Sequence, residues 1–248
     1  MLVNFKHKFI FLRPYFSGST STEYALSKFC LLKKDIVTPI SFPEEIKRRK
    51  LKIYPRNYGL RYFEKVYNLS VFLRNRKISD FFLVKGKTVF LKNHSNIENL
   101  LNYKKLNISD FEIISITRHP YEKALSCARW SLVKHKYLKE GIKIVPSPDE
   151  IIQSLIANYK SGRLTSINNW PIYTFNGKYI VDLMINYSDL DNIDNILDKK
   201  FKLGSFKVPK LKQHYSRTHV TTSMISDEIK TYIQKICSEE FQKFFYEK

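Results

Sequence analysis

Ser17-Gly18-Ser19-Thr20-Ser21 places four hydroxyls and one glycine in five residues. Lying between an apolar run and a helical pattern, this turn offers helix-start amides, small residues that permit close approach, and hydroxyl donors. Together they suit an anion the size of a phosphate. The pattern Gly-x4-Gly-Lys-Ser/Thr is absent, which disfavours a P-loop ATPase or kinase, and the turn carries no lysine at all. A second group lies further along. Arg118 ends another apolar run, and Ser126 follows about two turns into the next helical pattern. Arg supplies a planar fork and Ser one more donor, so the pair can clasp a second phosphate. Alone, the turn also reads as a Ser-rich helix cap and the pair as coincidence. Two such units in one chain point to a nucleotide with two separated phosphate groups.

The elements that must position these groups are short. Phe9 to Leu12 is a continuous apolar run that predicts a strand buried on both faces. After the turn, Thr20-Ser-Thr-Glu23 fits a capping box, and Ala25, Leu26 and Phe29 supply a helical stripe. "FEIISIT" from Phe111 predicts a second strand, and Pro120 stands where a first helical residue belongs. Val89 to Leu91 is a further short apolar run, followed by a helix capped by Ser95. Asn176-Gly177 predicts a hairpin turn leading to a strand through Val181, Leu183 and Ile185. Ser226 caps a final helix with Ile229, Ile233, Ile236 and Phe244 on one face. Residues 41–76 read as short helices and loops punctuated by Pro43 and "YPRNYG". Strands alternating with helices predict one α/β domain over residues 1–248, built on a parallel sheet, with both polar turns at the carboxyl edge where ligands of such folds bind.

Composition bounds the partners. The chain of 248 residues is 43% apolar and 15% aromatic, with seven glycines and nine prolines, which is the make-up of a folded protein. Its formal charge of +20 favours anionic partners without choosing among nucleotide, nucleic acid, acidic glycan and lipid, and abundant Lys, Ile and Asn also fit AT-rich coding. Cys30, Cys127 and Cys237 are widely spaced among apolar residues and read as buried free thiols in a reducing compartment. "FIFL" is too short for a signal peptide's apolar region, and no run reaches membrane-spanning length. A soluble, cytoplasmic chain is the expectation.

The ordered set of motifs resembles the sulfotransferases that use 3′-phosphoadenosine 5′-phosphosulfate (PAPS), especially their carbohydrate-type branch. "ITRHPYEKALSCARW" is similar to that family's second phosphate motif, with Arg-x-Pro and a Ser eight residues after the Arg. "FLRPYFSGSTSTEYALS" is similar to its first motif, usually Lys-Thr-Ala/Gly-Gly-Thr-Ser before a helix. "YTFNGKYIVDLMINYSDL", "HYSR" and the terminal "EEFQKFFYEK" extend the likeness from about Lys8 to Tyr246, weakest over residues 41–80. The resemblance implies a P-loop-like three-layer α/β/α fold with a central parallel sheet. It implies PAPS as donor and no metal, with Ser17, Gly18, Ser19, Thr20 and Ser21 around the 5′-phosphosulfate and Arg118 and Ser126 on the 3′-phosphate. His94 in "LKNHSN" matches the family's general base. The acceptor would be a hydroxyl, with an acidic glycan as the candidate that suits the basic surface.

One departure stands out: aligning Thr20 and Ser21 with the family's Thr-Ser puts Phe16 where the family has lysine. Arg217 in the closing segment is the expected substitute cation, with Arg13, three residues upstream of Phe16, as the other candidate. Two rivals remain open. One is a nucleotide-binding protein of the same fold that has lost turnover. The other is a basic nucleic-acid-binding protein, motivated by the aromatic-basic stretch from Lys52 to Lys77.

Overall fold

The computed structural model describes residues 1–75, 77, 90–92, 94–140, 145–211 and 219–247. They group into two compact units. The first holds Met1–Arg13, Gly18–Ile116 and Ile172–Leu211; the second holds Pro14–Ser17, Thr117–Pro171 and Lys212–Lys248.

The first unit is built on a five-stranded sheet. Its strands are β1 (Leu2–Asn4), β2 (Phe9–Phe11), β3 (Ile36–Val37), β4 (Glu112–Thr117) and β7 (Leu183–Asn186), in the order β3-β1-β2-β4-β7. The expected apolar runs become β2 and β4, and these are parallel neighbours with Phe9 opposite Glu112 and Phe11 opposite Ile114. The pairing continues one residue beyond β2, where the Leu12 amide donates to the Ile114 carbonyl at 2.9 Å. The carboxyl ends of the two strands therefore lie side by side at one edge of the sheet. β1 corrects the expectation of a wholly parallel sheet, because it runs antiparallel to both β2 and β3. The sheet is otherwise mostly parallel and flanked by helices, an arrangement compatible with a three-layer α/β/α fold.

Helices α1 (Ser19–Ser27) and α7 (Ile193–Phe201) cover this sheet, with Ala25, Leu26, Ile193, Leu197 and Phe201 meeting Phe9, Phe11, Ile114 and Ile116 in one apolar cluster. Asn176 and Gly177 both have positive φ, at 50° and 73°, as a two-residue hairpin turn requires, and join β5 (Thr174–Phe175) to β6 (Lys178–Tyr179). The 41–76 stretch forms α2 (Phe42–Lys50) and α3 (Arg61–Phe72). Of its aromatics, Tyr58 and Tyr67 are buried, while Tyr62 and Phe72 are exposed. Helix α4 (Ile97–Tyr103) is capped by Asn96 in a reciprocal box with Asn99, not by Ser95, whose hydroxyl accepts from the Lys92 amide. Val89 lies outside the described residues; Phe90 and Leu91 form no strand, and their amides both donate to the Tyr58 carbonyl.

The second unit is helical. Its elements are α5 (Pro120–Glu140), α6 (Pro148–Lys160), α8 (Asp227–Ile236) and α9 (Ser238–Phe244). Leu125, Ala128, Ile151, Leu155, Ile229 and Ile233 form the centre of its apolar cluster. The expected final helix is broken at Cys237, so Phe241 rather than Phe244 is the buried aromatic of its last turn. Among the described residues, no helix is long and apolar enough to cross a membrane.

Candidate functional site

In the first unit the chain leaves β2 through Arg13, which is 3% exposed, and re-enters at Gly18, the residue preceding α1. Gly18 has φ +76°, and a Cβ there would stand 2.8 Å from Leu190 Cδ1 and 3.0 Å from the Tyr187 ring. Only glycine meets both demands. Because the helix starts after this left-handed glycine, Thr20 is already its second residue and cannot be its cap. The expected capping box is therefore absent, and α1 has no side-chain cap at all.

Instead, Thr20 Oγ1 accepts from Arg13 Nη2 at 2.7 Å. Glu23, expected to reach back along the helix, turns into the core. There its carboxylate meets the Met1 ammonium at 3.2 Å, the Thr38 hydroxyl at 3.2 Å, Arg13 Nη1 at 3.6 Å and Arg48 Nη1 at 4.0 Å. Arg48 is itself committed to Glu45 and the Thr38 carbonyl. Burial pushes the Arg13 guanidinium below its ordinary value, with Glu23 opposing. Ser21 Oγ accepts from the Leu211 amide at 3.3 Å.

His94 belongs to the same unit. Its Nδ1 lies 2.9 Å from the Arg13 carbonyl oxygen. A carbonyl only accepts, so Nδ1 carries the hydrogen. The backbone that leads into the turn thus orients the ring through Nδ1.

The second unit contains Phe16, Ser17, Arg118 and Ser126. Phe16 adopts φ +57°, uncommon for a bulky residue, and its ring packs on the apolar cluster around Tyr121 and Leu125. The Ser17 hydroxyl is buried and turns back to the Pro14 carbonyl at 3.4 Å. Arg118 Nη1 donates to the Phe16 carbonyl at 3.4 Å, and Arg118 Nε pairs with Glu122 at 2.8 Å. Glu122 and Ser126 are four apart on α5, so Ser126 follows on the face that Arg118 already grips.

Pro120 begins α5 as expected, and the imidazole of His119 caps it. His119 Nδ1 accepts from the Tyr121 amide at 3.2 Å while Nε2 donates to the Glu247 carbonyl at 3.0 Å. Burial lowers the His119 pKa from its ordinary value. One turn on, Lys123 is fully buried. Its ammonium donates to both Glu240 oxygens, at 2.7 and 2.6 Å, and to the Ile167 carbonyl at 2.8 Å. Glu240 also accepts from the Asn169 amide at 2.8 Å. Arg217 lies outside the described residues.

No protein-family model, curated protein or solved structure matches this chain.

Sequence reasoning named Arg13 as a candidate cation but missed its contacts with Thr20 and Glu23, and it missed the Lys123–Glu240 pair altogether. Lys123 had a legible signal, since it falls beside Ala124 and one turn before Cys127 on the apolar face of its helix. Arg13 was legible as a cation near the turn, three residues before Phe16, but not its bond to Thr20.

Proposed function

We propose that this protein is a PAPS-dependent sulfotransferase that moves a sulfuryl group to a hydroxyl of an acceptor, with an acidic glycan the candidate class, and releases PAP. The reading is carried by one observation: the two strand-turn-helix segments with phosphate-type turns issue from adjacent parallel strands, β2 and β4. In open α/β sheets the crevice beyond such strand ends is where ligands bind.

Each unit contributes residues whose chemistry supports this reading. Gly18 keeps side-chain bulk and a cap out of the start of α1, which leaves that end suited to the phosphosulfate. Arg118 brings a guanidinium whose Nε edge is held by Glu122, and Ser126 adds a hydroxyl on the same helix face. Bound PAPS would supply an activated sulfuryl group on a phosphosulfate anhydride. His94 Nε2 would take the acceptor's hydroxyl proton as that oxygen bonds to sulfur and PAP departs with the electron pair.

The direct test is PAP release from PAPS in the presence of polysaccharide acceptors, read in wild type and in His94→Gln. General-base loss lowers the rate by about 10²- to 10⁴-fold. PAP affinity should stay unchanged in that variant. An unaltered rate would remove His94 from the mechanism.

Phe16 favours a second reading, a nucleotide-binding protein of the same fold without turnover. A phenyl ring packed on apolar neighbours supplies no charge to a leaving oxygen. Nucleotide binding without any PAP release across acceptors would support this alternative.

A further inference from the structure

We propose that Arg13 is the cation that serves the first turn in place of the absent lysine, and that it does so through Thr20. This rests on the sulfotransferase reading and concerns a positioning residue. Thr20 Oγ1 can accept hydrogen bonds and can donate one. Arg13 has only donors, so its Nη2 contact at 2.7 Å occupies the oxygen as an acceptor. The Thr20 proton must then point elsewhere, and no acceptor takes it among the described residues. Arg13 thereby turns the Thr20 hydrogen away from the core and leaves Thr20 to act as a donor on the first turn of α1, where the helix dipole already favours an anion.

The arginine is also buried and loosely held on its other edge. It is 3% exposed, and its Nε and Nη1 have no hydrogen-bond acceptor among the described residues. Its ion-pair partner Glu23 stands 3.6 Å away and is shared with Arg48 at 4.0 Å and the Met1 ammonium at 3.2 Å, with Glu44 and Glu45 also acting on the guanidinium, so the Arg13 charge is balanced by a network of carboxylates and not by one tight pair. A buried guanidinium in a medium of low dielectric acts further than a solvated one. The anionic oxygens it serves are those of the 5′ group, not the 3′-phosphate, because its contact is with α1.

The test is a double-mutant cycle read by calorimetry with two probes, ADP and PAP, on the full chain. Thr20→Val removes the hydroxyl at a half-buried position and keeps Arg13. Loss of one hydrogen bond to a charged group corresponds to about a tenfold or greater loss of affinity. Thr20→Val should lose that much for both probes, and Thr20→Ser should restore it. Arg13→Lys keeps a charge beside Glu23 but not the fork that spans Glu23 and Thr20. It should weaken both probes, and its effect should vanish in the Thr20→Val background. If Thr20→Val binds ADP as wild type does, or if the Arg13→Lys cost persists undiminished in that background, the proposal is overturned. That outcome with PAP still bound in preference to ADP leaves the sulfotransferase reading intact. Equal binding of ADP and PAP with the coupling present would do the reverse.

Discussion

Replacing Lys123 by Met tests whether one buried ion pair organises the second unit. The change removes an ammonium that makes three hydrogen bonds within 2.6–2.8 Å and leaves the Glu240 carboxylate fully buried beside the Asn169 amide. Breaking a buried pair from one side costs about 3–5 kcal/mol, because a bare charge remains in a medium that solvates it poorly. Against a total stability of about 5–15 kcal/mol this is a large fraction. At roughly 2–4 °C per kcal/mol for a chain of this size, Tm falls by about 6–20 °C. Both tryptophans, Trp130 and Trp170, belong to the second unit, so their fluorescence in a urea titration follows that unit directly. Lys123→Met/Glu240→Leu removes both charges and should cost less than Lys123→Met alone. A single-variant loss below about 1 kcal/mol, or a double variant costing the sum of the singles, would refute the reasoning.

Two further perturbations follow from the same geometry. Gly18→Ala forces an alanine into φ +76° and against Leu190 and Tyr187, so it should destabilise by about 2 kcal/mol or more, with part of the loss recovered in a Leu190→Ala background; denaturant midpoints measure both. Burial pushes the thiols of Cys30 and Cys237 up to about 12 and raises that of Cys127 as well. An acid whose folded pKa is raised binds its proton more tightly when folded, so its stabilisation is present below the unfolded value near 9 and is lost as pH rises toward about 12. Native protein at pH 8 should therefore leave DTNB uncoloured until denaturant is added, and melting temperatures should decline above pH 9. Rapid colour from folded protein would contradict the burial of these groups.

The parts of the fold carried by continuous apolar runs were legible in the sequence: β2, β4, the hairpin at Asn176-Gly177 and the start of α5 at Pro120 follow from local patterns. β1 was not legible, because three residues, Leu2–Asn4, give no period to read and its partners Phe11 and Val37 become neighbours only on folding. The capping box failed for a related reason. Thr20 and Glu23 had the right spacing, but a left-handed Gly18 set the helix start, and long-range partners claimed both side chains. His94 was placed by resemblance alone; its bond to the Arg13 carbonyl spans 81 residues and leaves no local trace. Cysteine burial, by contrast, followed directly from the apolar neighbours of each thiol.

The central claim is the donor site, and Arg118 is where it is tested most directly. PAP, which carries the 3′-phosphate, and ADP, which lacks it and carries a second 5′-phosphate instead, are titrated into wild type and Arg118→Ala by calorimetry. The account expects wild type to prefer PAP, and Arg118→Ala to lose about ten- to a hundredfold in PAP affinity with ADP little changed, the range for one charge-assisted contact. Equal affinity of wild type for PAP and ADP would contradict the account and turn attention to the basic surface and its nucleic-acid alternative.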